Sequence, residues 1–504
     1  MEKALENLSN WFDGTLIFLA AMLIIGLISL TVYIAVIYII DVTQTKQAIR
    51  RNYPVIGRFR YFFEHAGEFF RQYFFAMDRE EMPFNRAQRS WVYRAAKGID
   101  NTIAFGSTRD IRKPGSILFV NSPYPTLGQD SVPPREITIG EKCRQPYTTS
   151  AMFNISGMSF GALSKPAILA LSSGAAKAGI WLNTGEGGLS PYHLSGHCDI
   201  VFQIGTAKNG VRDLEGNLND EKLKQMAAYP EVKMFEIKLS QGAKPGKGGI
   251  LPAEKVTEEI AKIRGIEMGK AAISPNRHYD IKTDEDLLNM IYRVREVSGK
   301  PVGFKAVLGS ALWINSLCQV IRQKGLDYAP DFITLDSAEG GTGAAPMALI
   351  DDMGLPLRES LPILVDVLTE YDLRKHIKII VAGKLVTPAD VAWALCMGAD
   401  FISTARGFMF ALGCIQALQC NKNTCPTGIT THDEKLQRGL EPEAKSVRVA
   451  SYANQMVYEV GVIAHACGVK QPRELNRGHA RIVNDLGLSI PLYELHPDKK
   501  PLYS

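Results

Sequence analysis

An uninterrupted apolar run lies near the start of the chain. From Thr15 to Ile40 no residue is charged, and most positions carry Leu, Ile, Val, Ala or Phe. As a helix this run is about 39 Å long, enough to cross a hydrocarbon core of about 30 Å with some tilt. A cleaved signal peptide, with a shorter apolar core after a basic start, and a buried core helix are the alternatives. The pattern favours one transmembrane helix over residues 15–40.

The charges that flank the run indicate its orientation. Acidic residues dominate before it, whereas the residues that follow it are basic, namely Lys46, Arg50, Arg51, Arg58 and Arg60. Because loops rich in Lys and Arg stay on the cytoplasmic side, residues 1–14 should be extracytoplasmic and the rest cytoplasmic. We therefore expect a single-pass protein of the cell membrane with a cytoplasmic catalytic domain. Residues 41–146 should form a juxtamembrane helical region and a linker.

The juxtamembrane stretch from Arg58 to Phe75 mixes charged residues with phenylalanines. This pattern suits a segment that lies at the lipid interface. It suits equally a segment that packs on the catalytic domain. The sequence leaves both interpretations open.

Beyond the linker, short apolar runs alternate with helical patterns such as Asp284–Ser298 and Pro388–Met397. About eight such units predict a (β/α)8 TIM barrel over residues 147–432, followed by a helical C-terminal extension over residues 433–504. A doubly wound sheet is the alternative, but no strand leads into a G-x-G-x-x-G turn that opens a helix. The candidate strands are Met152–Ser156, Val201–Gly205, Met234–Leu239, Ala271–Ile273, Val302–Ala306, Phe332–Leu335, Ile377–Val381 and Phe401–Thr404.

Composition narrows the function classes. The chain has 504 residues, of which 46% are hydrophobic and 22% charged, so it is globular and not intrinsically disordered. Basic residues exceed acidic ones by only 57 − 52 = 5. Since no zinc-finger spacing or basic tract is present, we expect no nucleic-acid partner. Eight cysteines in so long a chain are too few for a disulfide framework.

Glycine and polar residues cluster where the candidate strands end. The catalytic face of a barrel lies at the carboxyl ends of its strands, and glycine there lets backbone N–H groups approach a ligand. The stretches are Asn183–Gly188, Gln241–Gly246, Glu339–Gly343 and Ala382–Lys384. Gly383-Lys384 and Thr404–Gly407 follow the last two strands, where barrels commonly bind phosphate. Any one such loop is ordinarily a tight turn, but four on one face predict a ligand site.

Three cysteines crowd into a short segment after the last candidate strand, in the pattern Cys414-x5-Cys420-x4-Cys425-Pro426. Thiolates at such spacing bind iron–sulfur clusters or zinc. Three thiolates without a fourth suit a three-iron cluster, whereas zinc would need a fourth ligand, for which His432 is the nearby candidate. Three inert buried thiols are the remaining alternative.

Together these motifs resemble the FMN domain of glutamate synthase and, more closely, the stand-alone, membrane-anchored members of the FMN-binding glutamate synthase family. The resemblance covers about Met152 to His432. It rests on Gly157–Gly161, Asn183–Gly188, Lys238–Gly246, Ser274-Pro275, Gly340–Ala344 and Gly413–Pro426. It implies that the barrel holds FMN and that Cys414, Cys420 and Cys425 bind a [3Fe–4S] cluster that passes electrons to the flavin. The flavin then reduces 2-iminoglutarate, formed from 2-oxoglutarate and ammonia, to L-glutamate.

The resemblance also assigns residues to roles. Gln241 and Lys244 match the substrate-binding Gln and Lys of the family, and Glu186 matches a Glu at the face between flavin and substrate. Lys305 should lie near the flavin N1–C2 edge, where a cation stabilises the reduced flavin. The other residues expected to bind the cofactor are Ser159, Thr184, Gln203, Gly340, Gly341, Gly383, Lys384, Thr404, Ala405 and Arg406. Two departures, Phe202 in place of a family Lys and Ile250 in place of a polar residue, concern substrate identity more than FMN.

The sequence is compatible with several sources of nitrogen and of electrons. Glutamate synthases begin with a glutaminase domain, whereas this chain begins Met1-Glu2 and continues into the apolar helix. We therefore expect free ammonia, another amine, or a separate amidotransferase subunit to supply nitrogen, and a ferredoxin, a reductase subunit or a quinol to supply electrons. The alternatives are a flavin-dependent synthase or dehydrogenase for another amine or 2-oxo acid, and an electron-transfer subunit without substrate turnover. The related barrel of inosine-monophosphate dehydrogenase, which carries no iron, is a further alternative.

Overall fold

A computed structural model describes residues 2–502, without the side chains of residues 2–10, 68 and 69. Met1, Tyr503 and Ser504, which belong to the predicted N-terminal and C-terminal segments, lie outside the described residues. The chain divides into two compact units, Met1–Arg86 and Ala87–Ser504.

The first unit is helical. Its helices are Glu2–Thr43, Ala48–Asn52 and Gly57–Phe70, and the last continues into a π-helical turn, Arg71–Phe75. Within the first helix, Trp11–Thr43 is long and apolar enough to cross a membrane, with a mean hydropathy of 2.7 and almost no buried surface. The helix extends beyond the predicted 15–40 at both ends and takes in Asp13 and Asp41. By length and composition it fits a membrane span, and a signal sequence would pass the same test.

The second unit contains a closed barrel of eight parallel strands. We number them β1 to β8 in chain order, and each pairs with the next until β8 closes onto β1. This confirms the predicted (β/α)8 barrel. The strands are β1 Phe153–Ile155, β2 Leu182–Asn183, β3 Ile200–Ile204, β4 Val232–Lys238, β5 Val302–Val307, β6 Phe332–Asp336, β7 Lys378–Ala382 and β8 Phe401–Thr404.

One predicted strand is wrong. Ala271–Ile273 is not in the barrel, because Ala272–Ile273 pairs antiparallel with Ile250–Leu251 in the connection between β4 and β5. Ile273 is largely exposed there, so its apolar character did not indicate burial. The strand missed by the sequence analysis is β2, which has only two residues and therefore no apolar run to detect.

Helices surround the barrel, and most begin and end at recognisable capping residues. Ser164 accepts a hydrogen bond from the Ala167 N–H at the start of one helix, and Gly179 ends that helix in the left-handed conformation. The helices of this region are Arg86–Ala96, Lys165–Ala178, Pro191–Leu194, Asp220–Ala227, Glu258–Arg264, Asp284–Ser298, Ala311–Lys324, Met347–Asp352, Leu357–Glu370, Pro388–Cys396, Arg406–Leu412, Glu434–Gln437, Pro442–Ala466 and Leu492–Leu495.

The long helix Pro442–Ala466 completes the outer ring after β8. It packs against Lys165–Ala178, and the two helices approach closely at Gly174, where a Cβ atom would lie 2.5 Å from the Val449 side chain. Lys177 also donates a hydrogen bond to Ser446 Oγ at 2.7 Å. The residues beyond 432 therefore contribute a wall of the barrel assembly.

A hairpin closes the amino-terminal end of the barrel. Its strands, Ile137–Ile139 and Tyr147–Thr149, pair antiparallel. Their buried side chains form one core cluster with residues near the beginnings of the barrel strands, namely Ile139, Tyr147, Trp181, Val201, Met234, Phe332, Ile380 and Phe401. A second small sheet joins Ile117–Phe119 to Ala480–Val483 and Ser489–Pro491. The opposite, carboxyl end of the barrel is left for the polar residues.

Candidate active site at the carboxyl end of the barrel

Alternation along β4 brings charge into an otherwise apolar barrel. Met234 belongs to the apolar cluster at the closed end, whereas Glu236 and Lys238, two and four residues later, contact polar groups toward the open end. Successive residues of a strand point to opposite faces, so these three side chains share the inner face. The strand therefore runs from apolar to charged along the axis of the barrel.

Glu236 is the centre of a buried hydrogen-bond network. Its Oε1 accepts from Asn183 Nδ2 at 2.9 Å and from Gln203 Nε2 at 2.6 Å, and its Oε2 accepts from Thr334 Oγ1 at 2.5 Å. Three hydrogen bonds thus satisfy this buried carboxyl group. They also hold Gln203, one of the predicted cofactor-binding residues, in a fixed orientation.

Lys305 and Asp336 form the next layer toward solvent. Lys305 Nζ lies 3.1 Å from Asp336 Oδ2, and both side chains are buried. Burial lowers the pKa of Lys305, but Asp336 and Glu236 oppose it and raise the pKa above its usual value. Asp336 also accepts from the Gly242 N–H at 3.1 Å. The lysine is therefore a permanently charged cation in the floor of the site.

Glu186 and Lys238 form the ion pair at the mouth of the barrel. Lys238 Nζ donates to Glu186 Oε2 at 2.9 Å and also to Gln241 Oε1. Burial raises the pKa of Glu186, but Lys238, with Lys244 and Arg264, outweighs burial and lowers the pKa below its usual value. Gln241 Nε2 in turn donates to the Gly341 carbonyl at 3.2 Å. Of the residues predicted to be catalytic, Glu186 and Gln241 are thus joined through a lysine.

Lys244 and Arg264 add two further buried cations. Lys244 Nζ donates to the Ala344 carbonyl at 3.2 Å, and burial lowers its pKa to about 8, although Glu186 opposes the shift. Arg264 donates to Ser159 Oγ at 3.3 Å and to the Phe160 carbonyl at 3.1 Å. Burial lowers the pKa of Arg264 too, and again Glu186 opposes the shift. Both cations lack a carboxylate in direct contact among the described residues, and anionic ligands stabilise cations of this kind.

These side chains line one cavity of about 160 Å³. Glu186, Gln241, Lys244 and Arg264 stand on its walls, together with Ile250. A second cavity adjoins it and shares Gly157, Gln203, Lys238, Gln241, Gly341, Ala405 and Arg406 with it. The second cavity reaches down to Lys305 and across to Gly340, Gly383, Lys384 and Thr404. Most of the predicted substrate and cofactor residues therefore meet in two connected spaces.

The glycine loops of this face are tightly built. A Cβ at Gly383 would lie 2.2 Å from Ser337 Oγ, and one at Gly341 would lie 2.8 Å from the Arg406 side chain. Gly383 has φ of +118°, which side chains other than glycine rarely adopt, and Lys384 follows with φ of +50°. Arg406 donates to the Glu339 carbonyl, and burial lowers its pKa to about 10. Glycine, backbone N–H groups and a cation thus lie together where phosphate was expected.

Thr184 and Ser159 lie at the edge of this arrangement. Thr184 is fully buried, donates to the Gly185 carbonyl and accepts from the Gln203 N–H at 3.0 Å. Neither of the two connected cavities is lined by Thr184. Ser159 lines the first cavity and contacts Arg264. Thr184 is therefore placed to support Gln203, and Ser159 to support Arg264.

The three cysteines lie in the loop that follows helix Arg406–Leu412. Cys425 is buried, and Cys414 and Cys420 are partly exposed. Non-glycine residues adopt positive φ at Gln416, Leu418 and Asn423 in this loop. The ammonium of Lys255 donates to the carbonyls of Cys420 and Thr430 at 2.7 and 2.6 Å. Cys420 and Thr430 also line the first cavity, so the cysteine loop borders the candidate active site.

The cysteine loop does not have the geometry of a mononuclear metal site. Among the described residues, no three His, Cys, Asp or Glu side chains are grouped to hold one ion. His432 Nε2 donates to the Gly161 carbonyl at 2.8 Å and so does not offer that nitrogen as a ligand. The ligands of a zinc ion must all lie about 2.3 Å or less from one atom, whereas cluster cysteines bind different irons. The zinc alternative would therefore have to use Nδ1 of His432, and the described residues form no such group.

Four charged residues of the site carry no role predicted from the sequence. Glu236, Lys238, Asp336 and Arg264 organise its charges, as described above. A signal for the first two was present, since Glu236 and Lys238 are charged residues two apart in an otherwise apolar run. Such residues in a strand buried on both faces indicate the lumen of a barrel. No comparable signal marks Arg264, which lies on a short helix of the rim.

Known proteins resemble this chain over most of its length. The sequence profile described as the conserved region in glutamate synthase matches residues 122–470. The glutamate synthase large subunit-like protein YerD of Bacillus subtilis is 39% identical over 505 residues, which cover 92% of this chain and 95% of that protein. The archaeal-type glutamate synthase (NADPH) of Thermotoga maritima is 34% identical over 334 residues, covering 66% of this chain and 62% of its own length.

Proposed function

The chain belongs to the glutamate synthase family, and from this we propose that it is a membrane-anchored FMN and iron–sulfur oxidoreductase that makes L-glutamate by reductive amination. In this reaction 2-oxoglutarate and ammonia condense to 2-iminoglutarate and water. The imine then takes up two electrons and two protons to give L-glutamate. The observation that carries the proposal is the single cavity in which ionised Glu186 stands among the cations Lys238, Lys244 and Arg264.

The second cavity fits FMN by its chemistry. Lys305, Lys384 and Arg406 line it, and they suit a phosphate and an anionic reduced flavin. The hydroxyl of Ser337, beside Gly383, is a buried polar group without a partner among the described residues, which supports a polar ligand nearby. FMN, when bound, supplies the hydride that reduces the imine carbon. Gly340, Gly341, Gly383, Lys384, Thr404, Ala405 and Arg406 would hold the phosphate side, and Gln203 and Lys305 the ring side.

The first cavity suits a dicarboxylic acid. Lys244 and Arg264 are buried cations in need of anions, and a substrate with two carboxylates supplies them. Gln241 is oriented by Lys238 and Gly341 and offers an amide to the bound acid. Glu186 is held as a carboxylate, so it can take a proton from ammonium and release the ammonia that attacks the keto carbon during imine formation. The excess of positive charge in this wall favours 2-oxoglutarate over monocarboxylic acids.

The cysteine loop supports a [3Fe–4S] cluster held by Cys414, Cys420 and Cys425. The loop presents three thiols and a lysine ammonium beside Cys420 that favours a negatively charged cluster. The cluster, when bound, supplies electrons to the neighbouring cavity. Its position on the wall of that cavity suits this task, because Cys420 and Gln203 line the same space.

Anchoring and partners follow from the first unit and from the relatives. We propose that Trp11–Thr43 spans the cell membrane and that the catalytic unit is cytoplasmic. The chain spans about three fifths of the archaeal-type relatives it matches, so their NADPH dependence is not transferred to it. Ammonia or an amidotransferase subunit supplies nitrogen. A ferredoxin, a reductase subunit or a quinol supplies electrons.

A turnover assay tests the proposed reaction directly. The full-length protein, solubilised in detergent, is incubated with 2-oxoglutarate, an ammonium salt and a chemically reduced one-electron donor, and L-glutamate is measured. Glutamate should form with ammonium and not with glutamine alone. A protein that binds flavin and iron but forms no amino acid from any 2-oxo acid would instead be an electron-transfer subunit.

One observation favours a second candidate, a synthase or dehydrogenase acting on a less polar substrate. Ile250, which stands where the family has a polar residue, is part of the wall of the first cavity. An apolar group there suits a substrate with an aliphatic part. The same assay with branched 2-oxo acids and with methylamine in place of ammonium separates the candidates. Faster turnover of any of these than of 2-oxoglutarate with ammonium would support the second.

A further inference from the structure

The segment that follows the long apolar helix is folded back onto the end of that helix. Asp41, two residues before the helix ends, is fully buried. Its carboxylate accepts hydrogen bonds from Arg50 at 2.6 Å, from Arg58 at 2.8 Å and from the Val55 N–H at 3.0 Å. A buried carboxylate persists only when it is paired and hydrogen-bonded. These contacts therefore fix the first turn of helix Gly57–Phe70 beside the end of the apolar helix.

The backbone at this joint is specific. A Cβ at Gly57 would lie 2.8 Å from the Ile49 carbonyl oxygen and 3.1 Å from the Arg50 Cα, so only glycine allows the approach. Val55 has φ of +65°, a conformation that β-branched residues rarely adopt. Such a conformation persists where surrounding contacts impose it, and here the Asp41 carboxylate holds the Val55 N–H. The chain thus has a defined turn, from Asp41 to Arg58, in place of a flexible tether.

An aromatic stripe follows on one side of the helix. Its members are spaced three, four or seven residues apart, which places them on one face at about 100° per residue. Their side chains are between 48% and 71% exposed. The stripe consists of Phe59, Phe62, Phe63, Phe70, Tyr73 and Phe74. Away from the stripe, Arg60 and Glu64 form an exposed ion pair at 3.9 Å, with Glu64 on the far side of the helix.

We propose that the aromatic stripe lies in the headgroup region of the membrane that Trp11–Thr43 crosses, with helix Gly57–Phe70 and its π-helical continuation parallel to the membrane surface. The inference rests on the proposed span and not on the proposed reaction. Asp41 marks the depth of the water boundary, because a charged carboxylate and two arginines do not stay in the hydrocarbon core. The joint holds the start of the stripe at that same depth.

The chemistry of the segment suits a lipid interface. Phe and Tyr rings favour the boundary between hydrocarbon and water, and in an aqueous position all six rings of the stripe would contact water. Basic residues outnumber acidic ones between residues 41 and 75 even when Asp41 is counted against the two arginines it pairs with, with Lys46, Arg50, Arg51, Arg58, Arg60 and Arg71 against Asp41, Glu64 and Glu68. Anionic headgroups attract such a segment. The partner of the aromatic stripe is therefore a bilayer that contains anionic lipid.

Photo-crosslinking in the full-length protein tests this position. Benzoylphenylalanine replaces Phe62 or Phe74 on the stripe, Glu64 on the opposite face, or Ile25 within the apolar helix. Each protein is reconstituted into vesicles of phosphatidylethanolamine and phosphatidylglycerol that carry a tagged lipid, and is then irradiated. We expect tagged lipid on positions 62, 74 and 25, several-fold above position 64. Phe62 and Phe74 are exposed, so the larger benzophenone can be accommodated at both positions and folding should be preserved.

The outcomes separate the two proposals. Lipid labelling at position 25 but not at 62 or 74, or crosslinks from 62 and 74 to the catalytic unit, would overturn the interfacial position and leave the span intact. No labelling at position 25 would overturn the span itself. Glutamate formation, measured on the same samples, depends on neither result. Asp41→Asn removes the charge that holds Arg50 and Arg58 at the joint, so lipid labelling at position 62 should fall while labelling at position 25 is kept. Labelling at position 62 equal to that of the protein with Asp41 would show that the joint does not position the stripe.

Discussion

Lys238 Nζ lies 2.9 Å from Glu186 Oε2 in the mouth of the barrel, and the two side chains are only 11% and 18% exposed. The lysine comes from the end of β4 and the glutamate from the turn after β2. Because water screens such a pair little, the lysine decides whether the carboxylate is charged. The two strand ends therefore set the protonation state of the proposed catalytic group together.

Replacing this lysine should move the pH dependence of the reaction. In the wild type, Lys238 helps to lower the pKa of Glu186, so the carboxylate stays ionised as the pH falls through the usual carboxyl range. In Lys238→Met, only Lys244 and Arg264 oppose the effect of burial, so the pKa of Glu186 rises. As the pH falls, the variant should therefore lose activity at a higher pH than the wild type does. Below the raised pKa the base is protonated, which should lower kcat by roughly 10²- to 10⁴-fold relative to the wild type at the same pH. The pH profile of kcat measures both effects.

Lys233→Met is the matched control for this variant. Lys233 lies on the same strand but pairs with Asp199 at 3.5 Å on a more exposed site. Its pH profile should match that of the wild type. Superimposable profiles for wild type and Lys238→Met would show that Glu186 does not carry the proton.

Removing the Lys244 ammonium should weaken the dicarboxylic acid. Loss of one partner of a buried carboxylate–ammonium pair costs about 2–5 kcal/mol of binding free energy. Lys244→Ala should therefore weaken the binding of 2-oxoglutarate by that free energy and leave FMN bound. Burial lowers the pKa of Lys244 to about 8. The lysine is charged below that pH and neutral above it, so wild-type affinity should fall as the pH rises through about 8. The variant should lack this fall.

Titration of 2-oxoglutarate against the flavin spectrum measures these affinities. Lys247→Ala is the control, since Lys247 follows in the same loop but is exposed. Equal affinities in wild type and Lys244→Ala would remove the substrate assignment and leave the fold untouched.

The sequence predicted most of the barrel because its strands are buried runs of strong apolar character. Phe332–Leu335 and Phe401–Thr404 match β6 and β8 within one residue. It failed at β2, which pairs with both neighbours through only two residues. The helical turn Gly185–Gly187, which carries Glu186, begins two residues after this strand ends. It also failed at Ala271–Ile273, since an apolar triplet on the rim has the same local pattern as a short core strand.

The candidate site was predictable in its glycine loops and less so in its ion pairs. The same cavity is lined by Gly340, Gly341 and Gly383, because these glycines follow the carboxyl ends of β6 and β7. The carboxyl ends of all parallel strands lie at one end of a barrel, so the topology alone predicts this proximity. The pairing of Glu186 with Lys238 depends on side-chain reach across β3, and the position of Arg264 depends on the path of a long connection. Neither follows from local pattern. Departures such as Ile250 were visible in the sequence, but their place on the cavity wall was not.

A methyl group at Gly383 should expel the flavin. Gly383→Ala forces a side chain into φ of +118° and places Cβ 2.2 Å from Ser337 Oγ, so the loop between β7 and Lys384 must shift. Strain of this kind costs about 1–3 kcal/mol before the clash is counted. We expect most of the FMN to be lost on purification, as measured by the ratio of flavin to protein.

Gly343→Ala is the control for this substitution, because nothing lies within 4 Å of a Cβ at Gly343. It should retain FMN. Thermal unfolding of both apoproteins shows whether the barrel itself is intact. Full flavin content in Gly383→Ala would show that the phosphate of FMN does not bind at this loop.

Each of the three cysteines of the loop should be needed for iron to bind. Cys414→Ser, Cys420→Ser and Cys425→Ser should each abolish the cluster, because a site with three protein ligands cannot readily lose one thiolate. Cys143→Ser, at a partly buried thiol beside Asp331 and outside this loop, should keep it. Iron and acid-labile sulfide per chain decide the matter, since zinc would bring neither. Wild-type protein with zinc and no iron, or full iron in any one of the three loop variants, would contradict the cluster. The ion pair of Lys238 with Glu186 and the second cavity do not depend on that result, because the pair forms without a cysteine and no cysteine lines the second cavity among the described residues.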